Sequence, residues 1–133
     1  MSTFVLFGGT GDLAKRKIIP ALFSAFVNGR LASDFSFTGA AREALSDEEF
    51  RQRVASSIET YAAKANGNAE QVSAFLALTR YSKIDARVPD DFDALKSKID
   101  ADQTKAKLFY LAIGPDIFIP VVEQLSKHGL VDG

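Results

Sequence analysis

Short apolar runs alternate with segments of helical periodicity along this chain of 133 residues. Four runs have the length and the β-branched or aromatic content of buried strands, and the last of them is predicted to be a central strand: 4–7, 35–40, 79–84 and 107–113. Five segments place apolar residues at helical spacing: 15–27, 46–61, 69–78, 89–99 and 115–128. Strands separated by helices predict parallel βαβ units with right-handed crossovers, and therefore an α/β fold with a mainly parallel sheet.

Local signals support several element boundaries. Asn28-Gly29 is a typical helix end, and Ser46 with Glu49 has the spacing of a capping box. Asn66-Gly67-Asn68 predicts a turn. Pro20 cannot donate a hydrogen bond to the Arg16 carbonyl, so the first helix is expected to kink there.

A glycine turn stands between the first strand and the first helix. Its spacing is Gly8-x-x-Gly11-x-x-Ala14, with Thr10 where a stricter dinucleotide motif has glycine. Gly8 would form the tight turn, Gly11 would let phosphates approach the backbone, and the Thr10 hydroxyl lies at the same edge. The context favours a dinucleotide site in a Rossmann-like, doubly wound sheet with helices on both faces, although a purely structural turn stays open. No Gly-Lys-Ser/Thr follows, which excludes a P-loop.

Basic residues near this turn suggest phosphate binding. Arg42 follows the second strand, where a cofactor with a free ribose 2′-hydroxyl is usually met by Asp or Glu. A cation there favours NADP over NAD, and the alternative is a surface arginine paired with Glu43. The run 15–17 is Lys-Arg-Lys on the first helix, which is either a solvated face or a site for a second phosphate-bearing ligand.

Composition narrows the classes of partner and compartment. A formal net charge of −1 argues against nucleic acid or an anionic membrane as partner. With no cysteine, the chain has no disulfide, thiolate metal site or cysteine nucleophile. No apolar run reaches the roughly 20 residues that span a bilayer. The first strand begins directly after the initial residues, without a charged leader, so we expect a cytoplasmic protein.

Residues for proton chemistry are scarce. His128 is the only histidine, and its place near the end of the last helix suits a helix-dipole partner better than a catalytic base. Asp12, Asp85 and Asp116 lie near strand ends or helix starts, where capping is the expected role. None of the three tyrosines precedes a lysine by four residues, which argues against a short-chain dehydrogenase or an epimerase-like fragment.

The string at 8–17, Gly-Gly-Thr-Gly-Asp-Leu-Ala-Lys-Arg-Lys, closely resembles the opening of the glucose-6-phosphate dehydrogenase family, including a proline three residues later. Two further segments match in order. Gly-Ala-Ala-Arg at 39–42 is similar to the family's Gly-x-Ala-Arg, and 110–118 is similar to its Tyr-Leu-Ala-x-x-Pro-x-x-Phe. The resemblance covers essentially the whole chain, but only about the first quarter of a family member.

The resemblance implies a role for each matching residue. The coenzyme pyrophosphate would be wrapped by the turn and helix start: Gly8, Gly9, Thr10, Gly11, Asp12, Leu13 and Ala14. Arg42 would hold the adenosine 2′-phosphate, and its combination with Thr10 is similar to bacterial members that accept both NADP and NAD. Asp85 and Ala86 would lie near the adenine, Ala112 and Pro115 along the nicotinamide half, and Lys17 would reach the glucose 6-phosphate.

Residues 1–133 are therefore interpreted as one NAD(P)-binding domain, the N-terminal part of a larger enzyme whose C-terminal α+β substrate domain is absent. The family's Glu-Lys-Pro-Phe-Gly strand and its histidine-bearing segment are not in this sequence, so we expect no catalytic residue and no activity in the chain alone. The intact parent is expected to be a homo-oligomer. A truncated sheet would leave an open edge beside 107–113, through which the fragment would self-associate. The alternative is a stand-alone NADP-binding or sensor module.

Overall fold

Four parallel strands form one sheet in a computed structural model that describes residues 2–31, 34–62, 67–101 and 106–130. The strands are β1 (Ser2–Phe7), β2 (Phe35–Ala41), β3 (Thr79–Lys83) and β4 (Ala106–Leu111). Their order in the sheet is β3-β2-β1-β4, the order of the first half of a doubly wound fold. The predicted strands are confirmed to within a few residues.

The helices confirm the predicted alternation. They are α1 (Ile19–Val27), α2 (Asp47–Tyr61), α3 (Ala69–Ala77), α4 (Pro89–Ala101) and α5 (Pro115–Lys127), and a π-helical segment (Ala14–Ile18) precedes α1. None of the helices within the described residues is long and apolar enough to cross a bilayer.

The sheet carries helices on both faces, as predicted. Side chains alternate along β1, so that Phe4 and Leu6 belong to one apolar cluster and Val5 and Phe7 to another. The first cluster draws its helical members from the π segment and from α1, α2 and α3, and the second draws them from α4 and α5. Both faces of β1 are therefore buried.

The strand β4 corrects one prediction. Among the described residues it pairs only with β1, so it lies at the edge of the sheet and not in its centre. Leu108 is 61% exposed and Tyr110 41% exposed. The apolar run was correctly interpreted as a strand, but an apolar run does not encode how many neighbours the strand has. The predicted open edge beside this strand is present within the part of the chain described.

Gly39 lets α2 approach β2 closely. A Cβ placed on Gly39 would lie 2.2 Å from Cζ of Phe50, which is fully buried in α2. The ring of Phe50 also packs on Phe37 with centroids 5.9 Å apart. Glycine in the middle of a strand normally weakens it, and here its missing side chain makes room for an aromatic ring.

The irregularity predicted at Pro20 is a change of helical register. The Ile19 N–H bonds to the Ala14 carbonyl five residues earlier, so the segment is π-helical. In this register the nitrogen opposite the Lys15 carbonyl is that of Pro20, which carries no hydrogen. The carbonyl that needs a new partner is therefore that of Lys15 and not that of Arg16. The buried Ser57 hydroxyl of α2 donates to it.

Most local boundary signals are also confirmed. Ser46 and Glu49 form both hydrogen bonds of the capping box. Gly29 follows α1 with φ of 68°, a left-handed conformation typical of a helix end. Of the predicted turn at 66–68, Asn68 caps α3, whereas residue 66 lies outside the described residues, as do residue 1 at the start of the chain and 131–133 at its end.

Candidate functional site

The glycine turn connects β1 to the helix at the carboxyl edge of the sheet. The N–H groups of Gly8 and Gly9 both donate to the Ala40 carbonyl of β2, at 2.8 and 3.2 Å. The Gly11 N–H donates to the Gly8 carbonyl at 2.9 Å, which closes the turn. The turn is thus fastened to the end of β2.

A side chain does not fit at Gly8 of the turn and would be tight at Gly9 and Gly11. Gly8 has φ of 80°, and a Cβ on it would lie 2.2 Å from the Ala112 carbonyl oxygen that follows β4. A Cβ on Gly9 or on Gly11 would come within 3.1 or 3.2 Å of backbone atoms. The positive φ and the close backbone at Gly8 require glycine, and the result is a smooth concave turn that a phosphate can approach.

The helix start after the turn is suited to an anion. Helical residues begin at Asp12 and Leu13, and no side chain caps the π segment. Helix N-termini leave backbone N–H groups unsatisfied, and these can bind phosphate. Asp12 does not cap the helix as expected; its carboxylate pairs with Arg16 at 2.8 Å. Leu13 is exposed and Ala14 is buried against the core.

Tyr81 holds the segment around Arg42. Its hydroxyl contacts the Ala41 carbonyl at 3.0 Å and the Glu43 carbonyl at 2.6 Å. Burial raises the pKa of Tyr81 to about 12, and the nearby Glu43 charge acts in the same direction. The backbone on both sides of Arg42 is thereby fixed, while the Arg42 residue itself is exposed.

Glu43 pairs with Arg53 and not with Arg42. The Glu43 carboxylate lies 2.9 Å from the Arg53 guanidinium of α2. Arg53 first, and the Thr10 hydroxyl second, lower the pKa of Glu43. Among the described residues, the alternative of an Arg42–Glu43 surface pair is therefore not realised.

Asp85 follows β3 at the same edge of the sheet. Its carboxylate bonds to the Arg87 side chain and to the Arg87 N–H, and these bonds lower the pKa of Asp85 to about 2, with a smaller contribution from the Arg42 charge. Its own N–H donates to the Asp91 carboxylate at 2.9 Å. The loop that continues through Ala86 is thus held by side-chain contacts, and Asp85 accepts from the Arg87 N–H within this loop instead of capping a helix as expected.

The remaining candidates divide between the edge and the helix surface. The Ala112 N–H donates to the Phe7 carbonyl at 2.9 Å, and Pro115 begins α5 after Gly114. The fold therefore brings the turn, Arg42, Asp85 with Ala86, and Ala112 to the carboxyl ends of the parallel strands, where doubly wound sheets bind ligands. Lys17 is exposed on the π segment.

A cleft of about 470 Å³ separates the turn from α2. Gly9, Thr10 and Lys15 line one side, and Arg53 and Ser57 line the other. Sequence reasoning missed Arg53, Ser57 and Tyr81 because their partners lie 10, 42 and 38 residues away along the chain. Among the partners of these three residues, only Glu43 stood out in the sequence, because it is next to Arg42.

His128 lies away from this edge, at the C-terminal end of α5. Its Nδ1 is 2.8 Å from the Gln124 carbonyl, and its Nε2 is 3.1 Å from the Asp93 carboxylate of α4. Its ring stacks on Phe92. Both nitrogens thus have structural partners, in agreement with the role expected from the sequence. Across the described ranges, no cluster of His, Asp or Glu could hold a metal ion.

Comparison with known proteins identifies the family. A family model described as "Glucose-6-phosphate dehydrogenase, NAD binding domain" matches residues 5–133. The glucose-6-phosphate 1-dehydrogenases of Rhizobium meliloti and Leuconostoc mesenteroides are 33% and 34% identical over 96% and 94% of this chain. The chain spans 26% of the length of each of these relatives.

Solved structures agree with this result. A glucose-6-phosphate dehydrogenase in complex with glucose-6-phosphate superposes with a TM-score of 0.87 at 29% identity, and the enzyme from Mycobacterium avium with 0.85 at 25%. Each match covers 98% of this chain and 28% of the other. These matches confirm the Rossmann-like fold, and the family description indicates a nicotinamide dinucleotide as cofactor. The chain belongs to the family of glucose-6-phosphate dehydrogenase NAD-binding domains.

Proposed function

We propose that this chain binds NADP, with NAD as a second coenzyme, for an enzyme that oxidises glucose 6-phosphate to 6-phosphogluconolactone in the oxidative pentose phosphate pathway. The observation that carries the proposal is that the glycine turn and Arg42 meet at one edge of the sheet. Gly8 is bonded to the Ala40 carbonyl, and Arg42 follows two residues after Ala40.

The turn and the helix start hold the pyrophosphate in this proposal. Gly8 to Gly11 supply a turn that no side chain obstructs, and the helix from Asp12 to Ala14 supplies N–H groups that no side chain caps. Because both features favour a negatively charged group, a diphosphate fits the residues present.

Arg42 holds the 2′-phosphate that distinguishes NADP from NAD. Its backbone is fixed by Tyr81, and its exposed guanidinium can form two parallel hydrogen bonds with a phosphate. Asp85 and Ala86, at the end of the neighbouring strand β3, lie on the adenine side of Arg42. The electrostatic interaction of Arg42 with Asp85 supports this proximity.

The nicotinamide half lies along the end of β4 in the proposal, next to Ala112 and Pro115. When bound, the nicotinamide accepts the hydride that leaves the sugar carbon. Lys17, on the exposed side of the π segment, faces the substrate phosphate. The base for the hydroxyl proton would come from outside these residues, because the only histidine of the sequence is held by Gln124 and Asp93.

Calorimetric titration of the purified chain with NADP+ and NAD+ tests the proposal. Losing a charge-assisted hydrogen bond costs about 1.5–3 kcal/mol, so Arg42→Ala is expected to weaken NADP+ binding roughly ten- to hundredfold and to leave NAD+ binding unchanged. Arg30→Ala, an exposed arginine after α1, is the matched control. Equal weakening of both coenzymes by Arg42→Ala would contradict the assignment.

An activity assay tests the role of the chain within the larger enzyme. With glucose 6-phosphate and NADP+, the chain alone is expected to bind the coenzyme without producing NADPH. Measurable turnover would refute the expectation that the catalytic base lies elsewhere. Tight coenzyme binding in a natural protein of only this length would favour the sensor module instead.

A further inference from the structure

We propose that Glu43 is a specificity-determining residue of the coenzyme site, which accepts a hydrogen bond from the free 2′-hydroxyl of NAD and opposes the 2′-phosphate of NADP. The inference rests on the proposed function, since it concerns the same site. It assigns opposite roles to two adjacent residues, with Arg42 favouring the phosphate and Glu43 the hydroxyl. The consequence is a site that accepts both coenzymes.

The backbone places Glu43 at the position that reads the ribose. Glu43 lies two residues beyond the end of β2, where dinucleotide-binding sheets that prefer NAD present an acidic side chain. Its carbonyl accepts from the Tyr81 hydroxyl at 2.6 Å. The backbone of Glu43 is therefore positioned by Tyr81, a buried residue of the neighbouring strand.

The side-chain contacts place the carboxylate at the junction of the turn and β2. Arg53, the ion-pair partner of Glu43, lines the same cleft as Thr10 of the glycine turn, and the Thr10 hydroxyl contributes, after Arg53, to the lowered pKa of Glu43. The Arg53 guanidinium lies 2.9 Å from the Glu43 carboxylate. A group that binds against both Thr10 and Arg42 must come close to this carboxylate.

The charges then decide which coenzyme is favoured. Arg53 and Thr10 keep the pKa of Glu43 below its ordinary value, so the carboxylate is charged at neutral pH. A 2′-hydroxyl can donate to it, whereas a phosphate monoester carries close to two negative charges. At about 4 Å in salt, their repulsion corresponds to roughly a tenfold loss of affinity, even at the dielectric constant of water.

A pair of nucleotides that differ only at this position provides the test. Binding of 2′,5′-ADP and of 5′-AMP to the full chain is measured by calorimetry for the wild type, Glu43→Gln and Glu59→Gln. Glu59 is an exposed glutamate of α2 and serves as the matched control. We expect Glu43→Gln to tighten 2′,5′-ADP binding roughly tenfold relative to 5′-AMP, and Glu59→Gln to leave the ratio unchanged.

A second variant should lower the affinity for 2′,5′-ADP relative to 5′-AMP. Arg53→Gln removes the cation beside Glu43. The Glu43 carboxylate should then repel the 2′-phosphate more strongly, so this affinity ratio should fall. In Glu43→Gln combined with Arg53→Gln, this fall should be smaller, because the uncovered carboxylate no longer contributes to it and only the direct loss of the Arg53 cation remains. A merely structural role of the pair would change the affinities for both nucleotides by the same factor.

The possible failures are distinguishable. If the wild type binds both nucleotides and Arg42→Ala is selective, but Glu43→Gln leaves the ratio unchanged, the inference about Glu43 is wrong and the proposed function stands. If the wild type binds neither nucleotide, the proposed function is wrong and the inference is overturned with it.

Discussion

The Ser57 hydroxyl of α2 donates a hydrogen bond to the Lys15 carbonyl of the π segment. The bond joins two helices that are 42 residues apart in the sequence. It satisfies the carbonyl that Pro20 leaves without an N–H partner, and Ser57 is fully buried where it does so. One side chain thus stabilises the irregular helix start behind the glycine turn.

Replacing Ser57 by alanine should therefore destabilise the protein. A buried acceptor left unsatisfied costs about 1–3 kcal/mol, and we expect a loss of this size in the free energy of unfolding in urea. Ser56→Ala, at the exposed neighbouring position, should change stability by less than about 0.5 kcal/mol. Equal effects of the two substitutions would show that the bond contributes nothing specific.

Pro20→Ala should reduce the cost of losing Ser57. Alanine restores a backbone N–H, which can bond to the Lys15 carbonyl or return the segment to α-helical register. We therefore expect Ser57→Ala to cost less in the Pro20→Ala background than in the wild type, measured as the coupling free energy of a double-mutant cycle. If the two substitutions change the free energy of unfolding in a strictly additive way, Ser57 and Pro20 do not act through the same carbonyl, and the prediction is wrong.

Gly8→Ala should impair both stability and coenzyme binding. Gly29→Ala is the control, because Gly29 also has positive φ but meets nothing within 4 Å. Strain alone costs about 1–2 kcal/mol at Gly29. At Gly8 the added Cβ also collides with the Ala112 carbonyl, so unfolding measurements should show a larger loss, and NADP+ binding should be lost at Gly8 only. The prediction fails if both variants keep full affinity.

Tyr81→Phe should loosen the segment that carries Arg42. Removing the hydroxyl takes away the single O–H that the Ala41 and Glu43 carbonyls share, which should cost about 1–2 kcal/mol and reduce the discrimination between NADP+ and NAD+. In the wild type, Tyr81 favours its neutral form, so its contribution to stability is present below pH 10.0 and is lost as the pH rises toward about 12. The difference between the ultraviolet titration curves of the wild type and Tyr81→Phe gives the ionisation of Tyr81. An ordinary pKa for Tyr81 would contradict this prediction.

Asp85 should contribute to stability at neutral pH and lose this contribution in acid. Its pKa is lowered from 3.8 to about 2, chiefly by its bonds with Arg87, so the contribution is present above pH 3.8 and is lost as the pH falls toward about 2. Arg87→Gln is expected to return the pKa of Asp85 toward 3.8, as measured by carboxyl NMR titration. Arg30→Gln, at an exposed arginine after α1, is the comparison variant and should leave the Asp85 titration unchanged.

The open edge at β4 should cause the isolated chain to self-associate. Leu108 is 61% exposed on this strand, and an apolar edge strand can pair with another copy. We expect Leu108→Lys to reduce the apparent mass in concentration-dependent light scattering. Val88→Lys changes an equally apolar residue, 40% exposed, in the loop before α4, and should have no such effect. A wild type that stays monomeric at every concentration would contradict the prediction.

Features with local causes were predictable from the sequence. The capping box of α2 depends on Ser46 and Glu49, three residues apart, and the glycine turn depends on spacings of the same size. The strands and helices followed from periodicity, because the side chains of one element share one environment. The edge on which the turn, Arg42 and Asp85 meet also followed, since parallel strands end on the same side.

Other features depend on partners that are distant in the sequence. Tertiary packing decided that Pro20 is accommodated by a π segment against Ser57 and that Glu43 pairs with Arg53 instead of Arg42. The sequence by itself determined the elements, the glycine turn and the cation beside it. Which partner each polar group takes was decided by the tertiary structure, because hydrogen bonds and ion pairs act over a few ångströms in space, whatever the separation along the chain.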